Sequence, residues 1–290
     1  MSVNTIYGDD VEKCYGEKFR YFPKELITQE VCNKAIELYP YNIRYIPENY
    51  KSLELCYLLS KEQGNYLEYM PIGFRTFDIC FNEIAKLKNY SLEFVPEHFK
   101  TKNLCNVAVE NNGMNLKWVP EELKTLELCD LAVRDEGVAI KYVPIELITE
   151  EMCEIAVKLR GYILREIPLE FRTYELCKLA VINYGSALEY VPEKFRTQQL
   201  CELAVNDCGR AISYVPEELR TFDMCEIALN YDPTLMQYVP EKFKVYKLFK
   251  LAVSVTNFKN RNEYIKNYIP SGFQESLRKA YSVKGEKNGN

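Results

Sequence analysis

Apolar and polar residues follow one another along this chain in a helical rhythm that restarts at fixed intervals. From Thr197 the sequence places Leu200, Cys201, Ala204 and Val205 three, four, seven and eight residues on. Those positions form one face of a helix with 3.6 residues per turn. Thr197 can cap that helix, because its hydroxyl can accept a backbone N–H of the first turn. The same place holds Thr28, Ser52, Thr76, Thr101, Thr125, Thr149, Thr173 and Thr221. An acid often follows two residues later (Glu127, Glu151, Glu175, Asp223), where it meets the positive end of the helix dipole. Twelve residues after the cap stands Gly64, Gly113, Gly137, Gly161, Gly185 or Gly209, read here as a left-handed residue closing the helix. The pattern predicts a helix of about eleven residues, or three turns.

The rest of each unit is tighter. Leu or Ile comes three residues after the glycine, then an aromatic-Val-Pro triplet, then acidic residues and Leu or Phe. Proline suits a first helical turn, so a short helix or 3₁₀ turn is expected on each side of it. A strand over the Leu-x-Tyr-Val piece is the alternative. The prolines mark the period: Pro23, Pro47, Pro71, Pro96, Pro120, Pro144, Pro168, Pro192, Pro216 and Pro240 are 24 residues apart, with one step of 25. A 24-residue unit cannot bury its own apolar face, but stacked neighbours can. The expected fold is therefore all-α, an α-solenoid of ten 24-residue repeats, each one three-turn helix plus a short helix or 3₁₀ turn. The expected boundaries are an N-terminal cap over 1–20, the solenoid over 21–263, a capping helix within 264–282 (its helical core Gln274 to Ala280) and a disordered tail over 283–290.

Composition narrows the function. A hydrophobic fraction of 47% with 27% charged residues is that of a folded globular chain. A formal net charge of −5 argues against general affinity for nucleic acid or an anionic membrane. No apolar run approaches the roughly 20 residues that span a bilayer. The first ten residues carry neither a basic start nor an apolar core, so a cytoplasmic protein with reduced thiols is expected.

Several columns of chemistry-bearing residues recur with the repeat. Nine cysteines (Cys32, Cys56, Cys80, Cys105, Cys129, Cys153, Cys177, Cys201, Cys225) each follow a proline by nine residues. Neighbours one helix spacing apart cannot form a disulfide or share a zinc, so they read as small core hydrophobes. Cys14 and Cys208 are off register and are candidate exposed thiols. The aromatics Tyr21, Tyr45, Tyr69, Phe94, Trp118, Tyr142, Tyr190, Tyr214 and Tyr238 form a second column, broken by Glu166. They read as inter-repeat packing with wet hydroxyls, or as a stacking ladder for bases or a peptide. Before each cap lies a cation: Lys51, Arg75, Lys100, Lys124, Arg172, Arg196, Arg220 and Lys244. Glu48, Glu97, Glu121, Glu193, Glu217 and Glu241 sit three residues earlier, so a solvated salt-bridge face is expected. Irregularities cluster in the N-terminal third: Pro40 in the glycine place, Tyr57-Leu58-Leu59-Ser60 where Ala-Val is usual, and the extra residue of repeat three.

The lone histidine, His98, is expected at the surface and has no histidine partner for a metal site. Nucleophile-elbow, P-loop and dinucleotide fingerprints are missing from the sequence. The expectation is a protein that is not an enzyme and needs no cofactor or metal. The candidate partner surface is Lys100, Lys124, Arg172, Arg196 and Arg220, with Glu166 as a special place among them.

The motif Tyr214-Val215-Pro216-Glu217-Glu218-Leu219-Arg220-Thr221, with Leu200-Cys201, Ala204-Val205 and Gly209, resembles an uncharacterised helical repeat family of the domain-of-unknown-function kind. Such repeats are frequent in amoeba-infecting giant DNA viruses and some intracellular bacteria, and the resemblance covers about residues 21–273. The period is also similar to that of the leucine-rich repeat variant, whose iron–sulfur cysteines lie outside its repeats and have no counterpart here. The family carries no established activity. The resemblance implies a virion component or a host-directed binder, in host cytoplasm or virion. The leading expectation is a monomeric, non-enzymatic scaffold for another protein. The alternative is a nucleic-acid-binding solenoid using the basic and aromatic columns.

Overall fold

A computed structural model describes residues 17–62, 65–86 and 92–282. The chain divides into two compact units, residues 1–147 and 148–290. Both are all-α repeat stacks of the solenoid class, and no strand occurs among the described residues. The first unit carries the repeat helices α1 (Gln29–Leu38), α2 (Leu53–Leu59), α3 (Phe77–Lys86), α4 (Lys102–Asn111) and α5 (Leu126–Asp135). The second carries α6 (Glu150–Leu159), α7 (Tyr174–Asn183), α8 (Gln198–Asp207), α9 (Phe222–Tyr231) and α10 (Tyr246–Val255), then α11 (Arg261–Tyr268) and α12 (Ser271–Ser282).

Each repeat helix starts where the sequence says it should. Thr197 Oγ1 accepts the Leu200 N–H at 3.3 Å, and the other Thr or Ser caps do the same three residues on. In the tenth repeat Val245 takes the cap place and offers no such acceptor. The buried face of α8 is Leu200, Cys201, Ala204 and Val205, and that of α5 is Leu128, Cys129, Ala132 and Val133. Two 3₁₀ segments complete each unit, for example Gly209–Tyr214 and Glu217–Leu219, so the strand alternative falls away. The proline does not sit inside the second segment. Pro216 precedes it as an extended residue (φ −52°, ψ 139°), and its carbonyl accepts the Leu219 N–H at 3.0 Å.

The glycine column has a different cause from the one expected. Most repeat helices end in an extended residue, such as Tyr184 at φ −156°, and none of Gly113, Gly161, Gly185 and Gly209 has a left-handed φ. What demands glycine is the next helix of the stack. A Cβ on Gly161 would lie 2.5 Å from the Ala180 carbonyl oxygen, and one on Gly185 would lie 2.5 Å from that of Ala204. Gly113 meets Ala132 in the same way. The small Ala and the glycine together set how closely repeats approach.

The last position of the helix then stitches the repeats together. Asp207 Oδ2 accepts the Gly185 N–H at 2.7 Å, and Asp135 Oδ2 accepts that of Gly113 at 2.7 Å. Asn183 and Asn111 instead donate back to the Lys158 and Ile84 carbonyls, at 2.8 and 2.9 Å.

Two further departures from the pattern lie in the first unit. Helix α2 has seven residues where the other repeat helices have ten. Leu59 fills its Ala place, and Ser60 turns its hydroxyl back onto the Tyr57 carbonyl at 2.8 Å. In α3 the Ala place holds Glu83, whose side chain is fully buried. Its Oε2 accepts the Tyr66 N–H at 3.2 Å, and Lys86 Nζ lies 3.9 Å from its other oxygen.

The second unit ends on α11 and α12. Phe249, in the cysteine place, packs against Phe273 with ring centroids 5.1 Å apart, and Leu277 is buried. Tyr264 and Tyr281 donate to the Pro233 and Lys250 carbonyls at 2.7 and 3.0 Å. The expected polar helix is therefore longer at both ends, Ser271–Ser282. Residues 1–16 of the expected cap, Cys14 among them, Gly64, and the tail 283–290 lie outside the described residues.

Candidate partner-binding surface

The basic column is not a solvent-facing stripe. In the second unit Arg172, Arg196 and Arg220 each donate Nη1 to the carbonyl eighteen residues on, of Tyr190, Tyr214 and Tyr238, all at 2.8 Å. Each Nε donates to a nearer carbonyl, of Ile167, Val191 or Val215. In the first unit Lys124 Nζ donates to the Tyr142 carbonyl at 2.9 Å and to Glu121 at 2.6 Å. Lys51 and Arg75 reach the Tyr69 and Phe94 carbonyls. Lys100 has a side chain only 3% exposed and pairs with Glu97 at 2.6 Å. The expected salt-bridge face exists only at its acidic end, because Glu97 and Glu121 are exposed while Lys100 and Lys124 are covered. Of the residues singled out by the sequence as a partner surface, Lys124, Arg172, Arg196 and Arg220 act as ties within the stack, and Lys100 is covered and paired with Glu97.

Glu166 is tolerated for a plain reason. From Tyr45 to Tyr238 the aromatic column is half-exposed throughout, so no fully buried charge is created, and Arg165 Nε donates to Glu166 at 2.7 Å. The column is flanked by cations that the sequence reading passed over. Arg44 lies over the rings of Tyr45 and Tyr69, Lys117 over Trp118 at 4.2 Å, and Lys141 over Tyr142. Acids interrupt that row at Glu68, Glu93 and Glu189. Burial, and then hydrogen bonding to Glu189, raise the pKa of the Tyr190 phenol.

The nine in-register cysteines are buried, as core residues should be. Desolvation pushes the thiols of Cys129 and Cys201 up to about 11 and that of Cys80 up to about 12, so they stay protonated and unreactive. Cys208 is half-exposed. His98 is exposed and packs on Phe99 at 4.0 Å. Among the described residues no group of three His, Cys, Asp or Glu is placed to hold a metal ion, and no helix is long and apolar enough to cross a membrane.

What the repeats do leave open is a groove between successive helices of each unit. Six residues after the cap, outside the buried face, stands Leu58, Val107 or Leu131 in the first unit and Ile155, Leu179, Leu203, Ile227 or Leu251 in the second. These side chains are exposed or half-exposed. Between α6 and α7 Leu179 and Ile182 floor a groove of about 340 Å³ with Glu150, Glu154 and Lys178 at its rim. Between α1 and α2 the equivalent groove measures about 770 Å³. The sequence signal was an apolar residue at cap plus six in eight of ten repeats, hidden because it lies beside the core face and not on it.

A family described as a domain of unknown function (DUF4116) matches residues 149–196 and, overlapping, 173–220. Each match runs from a capping threonine to the basic residue before a cap, and the second is displaced from the first by one 24-residue repeat. The second unit is thus similar to an uncharacterised repeat family over α6 to α8 and their 3₁₀ segments. No curated protein and no solved structure matches the chain.

Proposed function

We propose that the chain is a non-enzymatic scaffold that binds another protein, using the grooves between successive repeat helices of each unit. The observation that carries this reading is the partition of side chains. The cations that would read phosphates are engaged on carbonyls and glutamates, whereas the apolar residues at cap plus six stand open beside acidic rims. Apolar surface rimmed by polar groups is the usual mark of a protein-binding site. The binder acts as a monomer without a cofactor. Its partner belongs to a host cytoplasm or a virion, a reading supported by the resemblance to repeats of giant viruses and intracellular bacteria.

The competing nucleic-acid reading would rest on Lys117–Trp118 and Lys141–Tyr142, since stacking and cations together hold single strands. Affinity capture from native-host lysate, with and without nuclease and read by mass spectrometry, separates the two. The same few proteins recovered despite nuclease support the scaffold. Recovery that collapses with nuclease, together with salt-dependent binding of a labelled 30-nucleotide RNA, overturns it.

A further inference from the structure

Resting on the scaffold reading, we infer that the groove between α1 and α2 is the primary docking site and that its occupant is a basic amphipathic segment of the partner. Three observations single the groove out. It is the roomier of the two inter-helix grooves described above, about 770 against 340 Å³, which suits a few anchoring side chains. Its floor of Ile36, Leu55 and Leu59 is buried, yet Leu58 stands 54% exposed above it, the most exposed of the apolar side chains at cap plus six. Pro40 adds a further apolar residue to its lining.

The charges around Leu58 select the sign of the occupant. Glu54 lies one turn before Leu58 and Glu62 just beyond the end of α2, both lining the groove. Neither carboxylate has an ion-pair partner among the described residues. The nearby cations are engaged: Lys34 with Glu37 at 3.2 Å, Lys86 with the Glu62 carbonyl and buried Glu83, and Lys61 over the Tyr57 ring at 4.2 Å. A segment carrying an apolar anchor between two cations, each about one helical turn away, would seat the anchor beside Leu58 and the cations on Glu54 and Glu62. An acidic segment would meet two carboxylates that make no ion pair among the described residues.

The test is selection of a displayed library of random 16-residue peptides on the full chain, followed by affinity measurement for the enriched peptides. The expected winners carry net positive charge and apolar residues three or four apart. Their affinity should fall about tenfold or more on Leu58→Glu, and by several-fold on Glu54→Gln with Glu62→Gln, with the salt dependence of binding reduced. All three positions are solvent-facing, and circular dichroism checks that the variants fold. Winners that are acidic, or that bind the Leu58→Glu variant equally well, overturn the groove assignment. Equal binding with protection mapped to the α6–α7 groove would leave the scaffold reading standing. Equal binding of charge-matched scrambled peptides would show mere attraction to an acidic protein and overturn the inference. No enrichment above a control protein would overturn both.

Discussion

Replacing Gly185 by alanine separates two explanations of the glycine column. If glycine were needed for a left-handed backbone, asparagine would substitute almost as well, since it tolerates that region. If glycine is needed because the next helix lies against it, any Cβ is costly. The structure supports the second. Gly185 has no left-handed φ, yet its Cβ would meet the Ala204 carbonyl oxygen at 2.5 Å and the Asp207 carboxylate at 2.9 Å. The carbonyl is backbone and cannot rotate away, so the two repeats must part and stretch the 2.7 Å bond from the Gly185 N–H to Asp207. Overpacking of this kind costs about 1–3 kcal/mol. Gly73 is the internal control, because nothing lies within 4 Å of a Cβ there. Gly73→Ala should be neutral or stabilising by about 0.4–1 kcal/mol through the unfolded chain. The assay is urea unfolding of the full chain followed by circular dichroism, with hydrogen exchange at residues 185 and 204–207, because repeat stacks can open locally. Gly185→Asn should be at least as damaging as Gly185→Ala. A Gly185→Asn chain clearly more stable than Gly185→Ala, or a harmless Gly185→Ala, would refute the close-approach argument.

Other consequences follow from the same geometry. Arg196→Met removes donors to the Val191, Tyr214 and Glu189 carbonyls and should cost about 2–3 kcal/mol in urea unfolding, with Arg196→Lys losing less, since Lys51 and Lys124 do this job elsewhere. Peptide binding in the α1–α2 groove should be unchanged by it. Val245→Thr should stabilise the second unit by about 0.5–1 kcal/mol by supplying the missing cap, a gain readable as slower exchange at the start of α10. At pH 8 a thiol reagent should label Cys208 but none of the nine in-register cysteines until denaturant is added. Their pKa values are raised on folding from 9.0 to about 11, and that of Cys80 to about 12, so the unfolded chain loses those protons first. The associated stability is therefore complete below pH 9 and lost as the pH climbs toward 11, which alkaline melting curves would show.

The repeat was legible in the sequence wherever its cause is local. A threonine cap serves the N–H three residues on, and the buried face follows from spacing within one helix, so both could be read directly. The 3₁₀ turns flanking each proline were anticipated for the same reason, though proline precedes its turn and does not enter it. The roles of glycine and of the basic column were misread, because their partners lie a repeat away. Gly185 answers to Ala204, and Arg196 to the Tyr214 carbonyl. A period announces that such a partner exists without saying which atom it is. The α1–α2 groove was foreshadowed only as an irregularity: Leu59 and Ser60 broke the pattern, but that they shorten α2 to seven residues shows only in three dimensions.

A repeat protein also carries its own substitution series, and its breaks are informative when they fall together. Ile148 is the one place between Lys51 and Lys244 where the basic column fails, and an isoleucine side chain has no donor to offer. Eighteen residues on, the distance that separates Arg172 from Tyr190, stands Glu166, the break in the aromatic column. Both lie in the second unit. Lys51, Arg75, Lys124, Arg172, Arg196 and Arg220 each hold an aromatic residue's carbonyl, and Arg220 also lies under the Tyr238 ring at 5.7 Å. Isoleucine at 148 offers no such tie, and the position it would have reached holds an acid that pairs locally with Arg165. The two columns are thus linked by the carbonyl tie. That is why a surface built from their residues would be spent on holding the stack, and why the partner is to be sought at the grooves.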